Sequence, residues 1–142
     1  MTIGRILATR SFEIVTCDAS CTVAQAIDLL AEHRIGALPV VEAGSVLGIF
    51  SERDVVYRLR EHGPKALALS VRDAMTAPAV TVDPATEALE ALSLMTRRRI
   101  RHLPVMEGGR MTGFVSIGDL VKYRIEKVQS EAEAMRSYIQ TA

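Results

Sequence analysis

The chain has no tryptophan, three phenylalanines and three tyrosines, so aromatic side chains make up 4% of it. That scarcity excludes the stacking platform on which single-strand binders lay successive bases. Net charge is missing as well. Seventeen Lys and Arg against seventeen Asp and Glu give a formal charge of zero, with no global field to hold a polyanion, so no nucleic-acid partner is expected. Long apolar runs are absent too: nothing approaches the roughly 18 residues of a membrane span, and MTIGRILATRS lacks the apolar core of a signal peptide. A cytoplasmic protein with no membrane partner is the expectation. The two cysteines, Cys17 and Cys21, have no His or acid cluster beside them and cannot complete the four ligands of a closed zinc site, so no metal is expected. No G-x-S-x-G elbow or comparable nucleophile constellation occurs, so catalytic residues are not assigned and the chain reads as a non-enzyme.

What is present is repetition. A chain of 142 residues, 49% hydrophobic, is long enough for one compact core. Residues 14–57 laid on 79–122 at a constant offset of 65 give sixteen identities in 44 ungapped positions. The chain is a tandem duplication. Each copy opens on a β-branched stretch (14–17; 79–82) and continues into a helical pattern, with Val23, Ala26, Ile27 and Leu30 on one face echoed by Ala88, Ala91, Leu92 and Met95. Two apolar runs then flank Glu-Ala-Gly (37–41, 46–51) or Glu-Gly-Gly (102–106, 110–116), which predicts a hairpin in each copy. A second helix follows each Ser51 or Ser116, so the unit is β-α-β-β-α, an α+β fold. At their homologous positions, Cys17 matches Val82 in an apolar strand and Cys21 matches Thr86, which reads both as small fillers. A low-pKa thiol near a helix start remains the minor alternative.

The most specific repeated element is a heptapeptide, GIFSERD at 48–54 and GFVSIGD at 113–119. A Ser at a strand-to-helix junction with an acid three residues on is a capping box, worth about 1 kcal/mol. The same geometry offers free N–H groups and a positive helix end to an anion, and an Asp placed to accept from ribose hydroxyls. Both readings use the same atoms.

RIGALPVVEAGSVLGIFSERD followed by RRRIRHLPVMEGGRMTGFVSIGD, each preceded by a T-x-D strand end and an amphipathic helix, resembles the cystathionine-β-synthase (CBS) domain pair, or Bateman module. The resemblance covers about residues 3–125 and sets the expected organisation: repeat one over 1–61, a linker with a short helix over 62–78, repeat two over 79–125 and a helical extension over 126–142. It implies two units packed by pseudo-twofold symmetry, leaving two clefts that in many members take AMP, ADP, ATP, S-adenosylmethionine or NAD-type molecules, none of them an obligatory cofactor. Carried over by position, one cleft takes Asp119 for the ribose, Ser116 near sugar or phosphate, and Val15, Gly36, Ala37 and Arg53 from the first repeat. The mirror cleft takes Asp54 and Ser51, with Val80, Arg101 and His102 from the second repeat. Arg53 faces Gly118 in the alignment, and Arg101-His102 faces Gly36-Ala37, so each cleft is expected to keep a different cation, and His102 to be the single histidine in either. Arg98 and Arg99 fit the last turn of a helix, where cations complement its dipole.

Beyond Asp119, the residues Val121, Ile125, Val128, Ala132, Met135 and Ile139 are spaced 4, 3, 4, 3, 4. This is a heptad-like seam on a helix of about 23 residues, roughly 35 Å long, which is expected to pack on a second subunit of a homodimer. The functional expectation is a regulatory module that senses an adenine nucleotide and acts through shape change or an unidentified effector protein. A ligand-free assembly module is the competing reading.

Overall fold

The structure is a computed structural model that describes residues 1–9 and 13–141. Helix α1 (Ile3–Ala8) precedes repeat one, which runs β1 (Cys17–Asp18), α2 (Val23–His33), β2 (Ala37–Glu42), β3 (Ser45–Ser51) and α3 (Glu52–His62). A 3₁₀ segment (Gly63–Ala68) and α4 (Val71–Ala74) lead to repeat two: α5 (Ala88–Arg98), β4 (His102–Glu107), β5 (Arg110–Ser116) and α6 (Ile117–Thr141). The pseudo-twofold α+β architecture is that expected from the duplication. Residue 142, the last of the expected extension, lies outside the described residues.

Both hairpins turn through two residues at positive φ: Ala43 (49°) and Gly44 (82°) in copy one, Gly108 (58°) and Gly109 (78°) in copy two. Two positive φ values in a two-residue turn are the geometry that matches strand twist, and glycine meets it without a Cβ penalty. Copy one places an alanine there instead. The opening strands are shorter than the β-branched runs predict. β1 pairs in parallel with β2 only at Cys17 and Asp18, and in copy two the ladder shrinks to a single bridge between Val82 and Val105. Val82 donates to the Pro104 carbonyl and accepts from Met106 N–H. Two residues upstream, the next acceptor would need a proton from the nitrogen of Pro104, and proline has none. The prolines of the two LPV motifs therefore end the pairing.

The core has two clusters, and their membership crosses the chain order. Cys17, Val23, Ala26, Leu38, Val40 and Phe50 of repeat one are joined by Val71 and Ala74 of α4, which precedes repeat two. Val82, Ala91, Met95, Leu103, Val105 and Leu120 of repeat two are joined by Ile3 and Ile6 of α1, which precedes repeat one. Residues 1–9, grouped by sequence order with repeat one, thus pack in the second core, because that is where an apolar stripe was left open. Fully burying each such aliphatic side chain contributes about 1.5–3 kcal/mol, so the exchange clamps the two units together. The same crossings explain the glycine of the heptapeptide. A Cβ on Gly48 would lie 2.5 Å from the Thr76 carbonyl oxygen, because Thr76 bridges Ile49 through two backbone bonds of 2.9 Å. A Cβ on Gly113 would collide with the side chain of Leu7 on α1.

Candidate functional site

The Ser and Asp of each heptapeptide form a capping box in both copies. The Ser51 hydroxyl accepts from Asp54 N–H at 3.4 Å while Ser51 N–H donates to Asp54 Oδ2 at 2.9 Å. In copy two, Asp119 N–H donates to Ser116 Oγ at 3.2 Å and Ser116 N–H to Asp119 Oδ2 at 2.8 Å. The two acids differ in their surroundings. Asp54 is buried, 5% exposed, and its other oxygen, Oδ1, accepts from the Thr76 hydroxyl at 2.8 Å. Both carboxylate oxygens of Asp54 are thereby engaged within the protein. Asp119 is half-buried and lines a cavity.

Two cavities flank the pseudo-twofold axis. One, about 590 Å³, is lined by Val15, Gly36, Ala37, Ser116 and Asp119, together with Phe114, His102, His33, Arg34 and Glu13. The other, about 630 Å³, brings Ser51, Asp54, Val80, Arg101 and His102 together with Thr76, Tyr57, Arg58, Arg98 and Arg99. Both volumes lie in the range that holds a drug-sized ligand, about 300–1,000 Å³.

Two expectations are corrected. Arg53 does not reach the Asp119 cavity; it lines the Asp54 cavity beside its own Ser51, and its guanidinium donates to the Arg99 carbonyl at 3.1 Å. Arg99 is the left-handed C-cap of α5 (φ 55°), and the carbonyls at a helix C-terminus carry partial negative charge that attracts a guanidinium. Among the described residues the cations are accordingly unequal: Arg53, Arg58, Arg98, Arg99 and Arg101 border one cavity, and Arg34 borders the other. Nor is His102 the single histidine, since His33 lines the Asp119 cavity. Arg98 closes α5 as expected of a cation in a last turn, yet it also faces the cavity.

His102 stacks on Phe114, with ring centroids 5.4 Å apart and planes 15° from parallel. Burial pushes its imidazole below the ordinary 6.5; the Asp119 carboxylate opposes that, Arg101 adds to it, and Glu52 opposes it. Phe114 is not among the residues expected at the site, although strand alternation signals it: on β5 it lies two residues before Ser116 and so on the same face. Its homologous residue, Ile49, lines the other cavity. Thr76 carried no such signal, because it lies in the linker. Burial also pushes the Cys17 thiol up to about 12, with Cys21 and Asp18 adding to the effect, which is the reverse of an activated thiol. Among the described residues, no group of three or more His, Cys, Asp or Glu is placed to hold a metal ion, and no helix is long and apolar enough to cross a membrane.

Two pseudo-symmetric units, each a helix, a hairpin and a second helix, with two ligand-sized cavities that share lining residues from both, define a paired binding module. The chain belongs to the CBS domain family: the family's model matches residues 3–61 and 71–126. It is 37% identical over 129 residues to the mitochondrial CBS domain-containing protein CBSX3 of Arabidopsis thaliana, of which it spans 63%. It also matches inosine-5′-monophosphate dehydrogenase of Mycobacterium tuberculosis at 38% over 111 residues, but only 20% of that enzyme's length. Among solved structures, a CBS-domain protein of Agrobacterium tumefaciens superposes with a TM-score of 0.84 at 38% identity, covering 87% of this chain and 99% of that one. The fold is shared at 24% identity with CBSX2, solved in complex with AMP (TM-score 0.74, 88% and 96% covered). At 21% identity it is shared with a CBS pair solved with 5′-methylthioadenosine and S-adenosylmethionine (TM-score 0.78, 89% and 98% covered).

Proposed function

We propose that the chain is a non-catalytic regulatory module that binds an adenosine-bearing ligand, with AMP, ADP or ATP first and S-adenosylmethionine or NAD(H) as alternatives. The observation that carries the proposal is the convergence of Val15, Gly36, Ala37, Ser116 and Asp119, from both repeats, on one cavity. In it a ribose sits at Asp119, and the base lies between Val15 and the Phe114 and His102 rings. The arginine-rich cavity takes phosphate through Arg53, Arg98, Arg99 and Arg101 and leaves Asp54 to its structural bonds. A ligand touching both repeats shifts a shape equilibrium by its difference in affinity for the two shapes, on the order of 1–3 kcal/mol of coupling. The output passes to an effector protein. The cytoplasm is the compartment that belongs with this reading.

A homodimer is part of the proposal. Val121, Ile125, Val128, Met135, Tyr138 and Ile139 on α6 are exposed, as are Val56, Tyr57 and Leu59 on α3. The same faces favour the second reading, an assembly module whose cavities have no regulatory ligand. Thermal melting separates the two. A ligand present at 100 times its Kd stabilises by about 2.7 kcal/mol. AMP, ADP, ATP, S-adenosylmethionine and NADH at millimolar concentration should include at least one that raises Tm, with Asp119→Ala removing the rise. If none raises it, the sensor reading fails and the assembly reading stands. Nucleotide recovered unchanged by chromatography is the expected result for a binder; conversion would overturn the non-catalytic assignment.

A further inference from the structure

Gly36, Ala37 and His102 line both cavities, and His102 alone of the three carries a functional side chain. It stands at the homologous position to Ala37, so at the pseudo-twofold axis one repeat contributes an imidazole where the other has a methyl group. The ring reaches the other repeat: a Cβ on Gly36 would lie 3.7 Å from His102 Cε1, at ordinary van der Waals contact, so the imidazole stands against the Gly36 backbone of repeat one. One face of the ring is fixed by the stack on Phe114, which belongs to the Asp119 cavity. The charged groups acting on it come from three elements and from both sides: Asp119 on α6, Glu52 on α3, and Arg101 immediately before β4.

We infer that His102 is the shared wall through which the two cavities sense one another's occupancy. The inference rests on the nucleotide reading above. A phosphate held beside Arg101 offsets the positive charge that opposes protonation of His102, so the imidazole takes up a proton from solvent as the anion binds. The imidazolium then attracts Asp119 across the wall, changing the carboxylate that the second ligand would use. A ligand that draws Asp119 away acts in the reverse direction, as linkage requires. The sign follows: protons are taken up on binding, so anion affinity rises as pH falls.

AMP titrated into the wild-type protein, His102→Gln and His102→Ala tests this by calorimetry from pH 5.5 to 8, in two buffers of different ionisation heat. The ligand's own phosphate titrates near pH 6 in every case, so the difference between proteins is read. The wild type should take up more protons than either variant and lose about threefold to tenfold more affinity across that range, a tenfold change corresponding to one unit of pKa difference. Equal proton uptake and equal pH profiles in the wild type and His102→Gln would overturn the coupling and leave nucleotide binding intact. Failure of the wild type to bind any of AMP, ADP, ATP, S-adenosylmethionine and NADH would overturn both. An NMR titration of the His102 imidazole in the unmutated protein, with and without pyrophosphate, reads the same proton directly, and an unchanged midpoint would also refute the inference.

Discussion

Replacing Thr76 by valine exchanges one hydroxyl for a methyl of nearly the same size and isolates a single bond, the one from Thr76 Oγ1 to Asp54 Oδ1 at 2.8 Å. Asp54 is 5% exposed and its Oδ2 is held by Ser51 N–H, so the loss leaves a nearly buried carboxylate oxygen without its donor. A hydrogen bond to a charged group contributes about 1.5–3 kcal/mol, and an orphaned buried acceptor costs at the upper end of that range. For a domain of this size, 1 kcal/mol corresponds to roughly 3–4 °C in Tm, so Thr76→Val should melt about 5–10 °C lower. Scanning calorimetry and urea unfolding measure it. A double-mutant cycle with Asp54→Asn should return a coupling above about 1 kcal/mol, as expected for residues in one hydrogen-bonded network. A loss below about 0.5 kcal/mol with no coupling would show that solvent reaches Asp54. The contrast between a buried Asp54 and a half-buried Asp119 lining a cavity would then fall.

Other consequences are separable. Gly48→Ala drives a Cβ against the fixed backbone oxygen of Thr76, whereas Gly113→Ala meets the flexible end of Leu7; the first should cost at least about 2 kcal/mol and the second distinctly less, by urea unfolding. Ala43→Gly relieves a left-handed alanine (φ 49°) and gives copy one the Glu-Gly-Gly turn of copy two. The strain of about 1–2 kcal/mol exceeds the entropy cost of glycine, about 0.5–1, so the variant should be more stable by roughly 0.5–1 kcal/mol; a lower Tm would refute the turn assignment. Cys17 ionises near 9 when unfolded and is pushed up to about 12 when folded, so its contribution is complete below pH 9 and is lost as pH rises from there toward 12. Cys17→Val, which installs the residue of copy two, should flatten that alkaline fall in urea midpoint; an unchanged slope would show the thiol to be solvated.

The sequence was sufficient wherever the determinants are local. The 65-residue offset carried the elements, because periodicity, turn residues and capping pairs act within a few residues of one another. Both capping boxes could be read from Ser and Asp alone. The family's positions then carried Val15, Gly36, Ala37, Ser116 and Asp119 onto one cavity. Even the truncation of the opening strands lay in the sequence, in the prolines of the LPV motifs.

What only the tertiary structure decided depends on rotation and on crossings between distant segments. Arg53 and Asp54 are neighbours in the chain, but the angle at which α3 leaves β3 selects the cavity that a long guanidinium enters, and nearby composition does not encode that angle. Thr76 closes over Asp54, the acid of the first motif, from 22 residues away. Residues 1–9 left their own repeat for the other because burial rewards an open apolar stripe wherever it stands. GIFSERD and GFVSIGD therefore begin with the same local chemistry, a glycine for close packing and a capping box. They end in different surroundings because different distant segments lie across them.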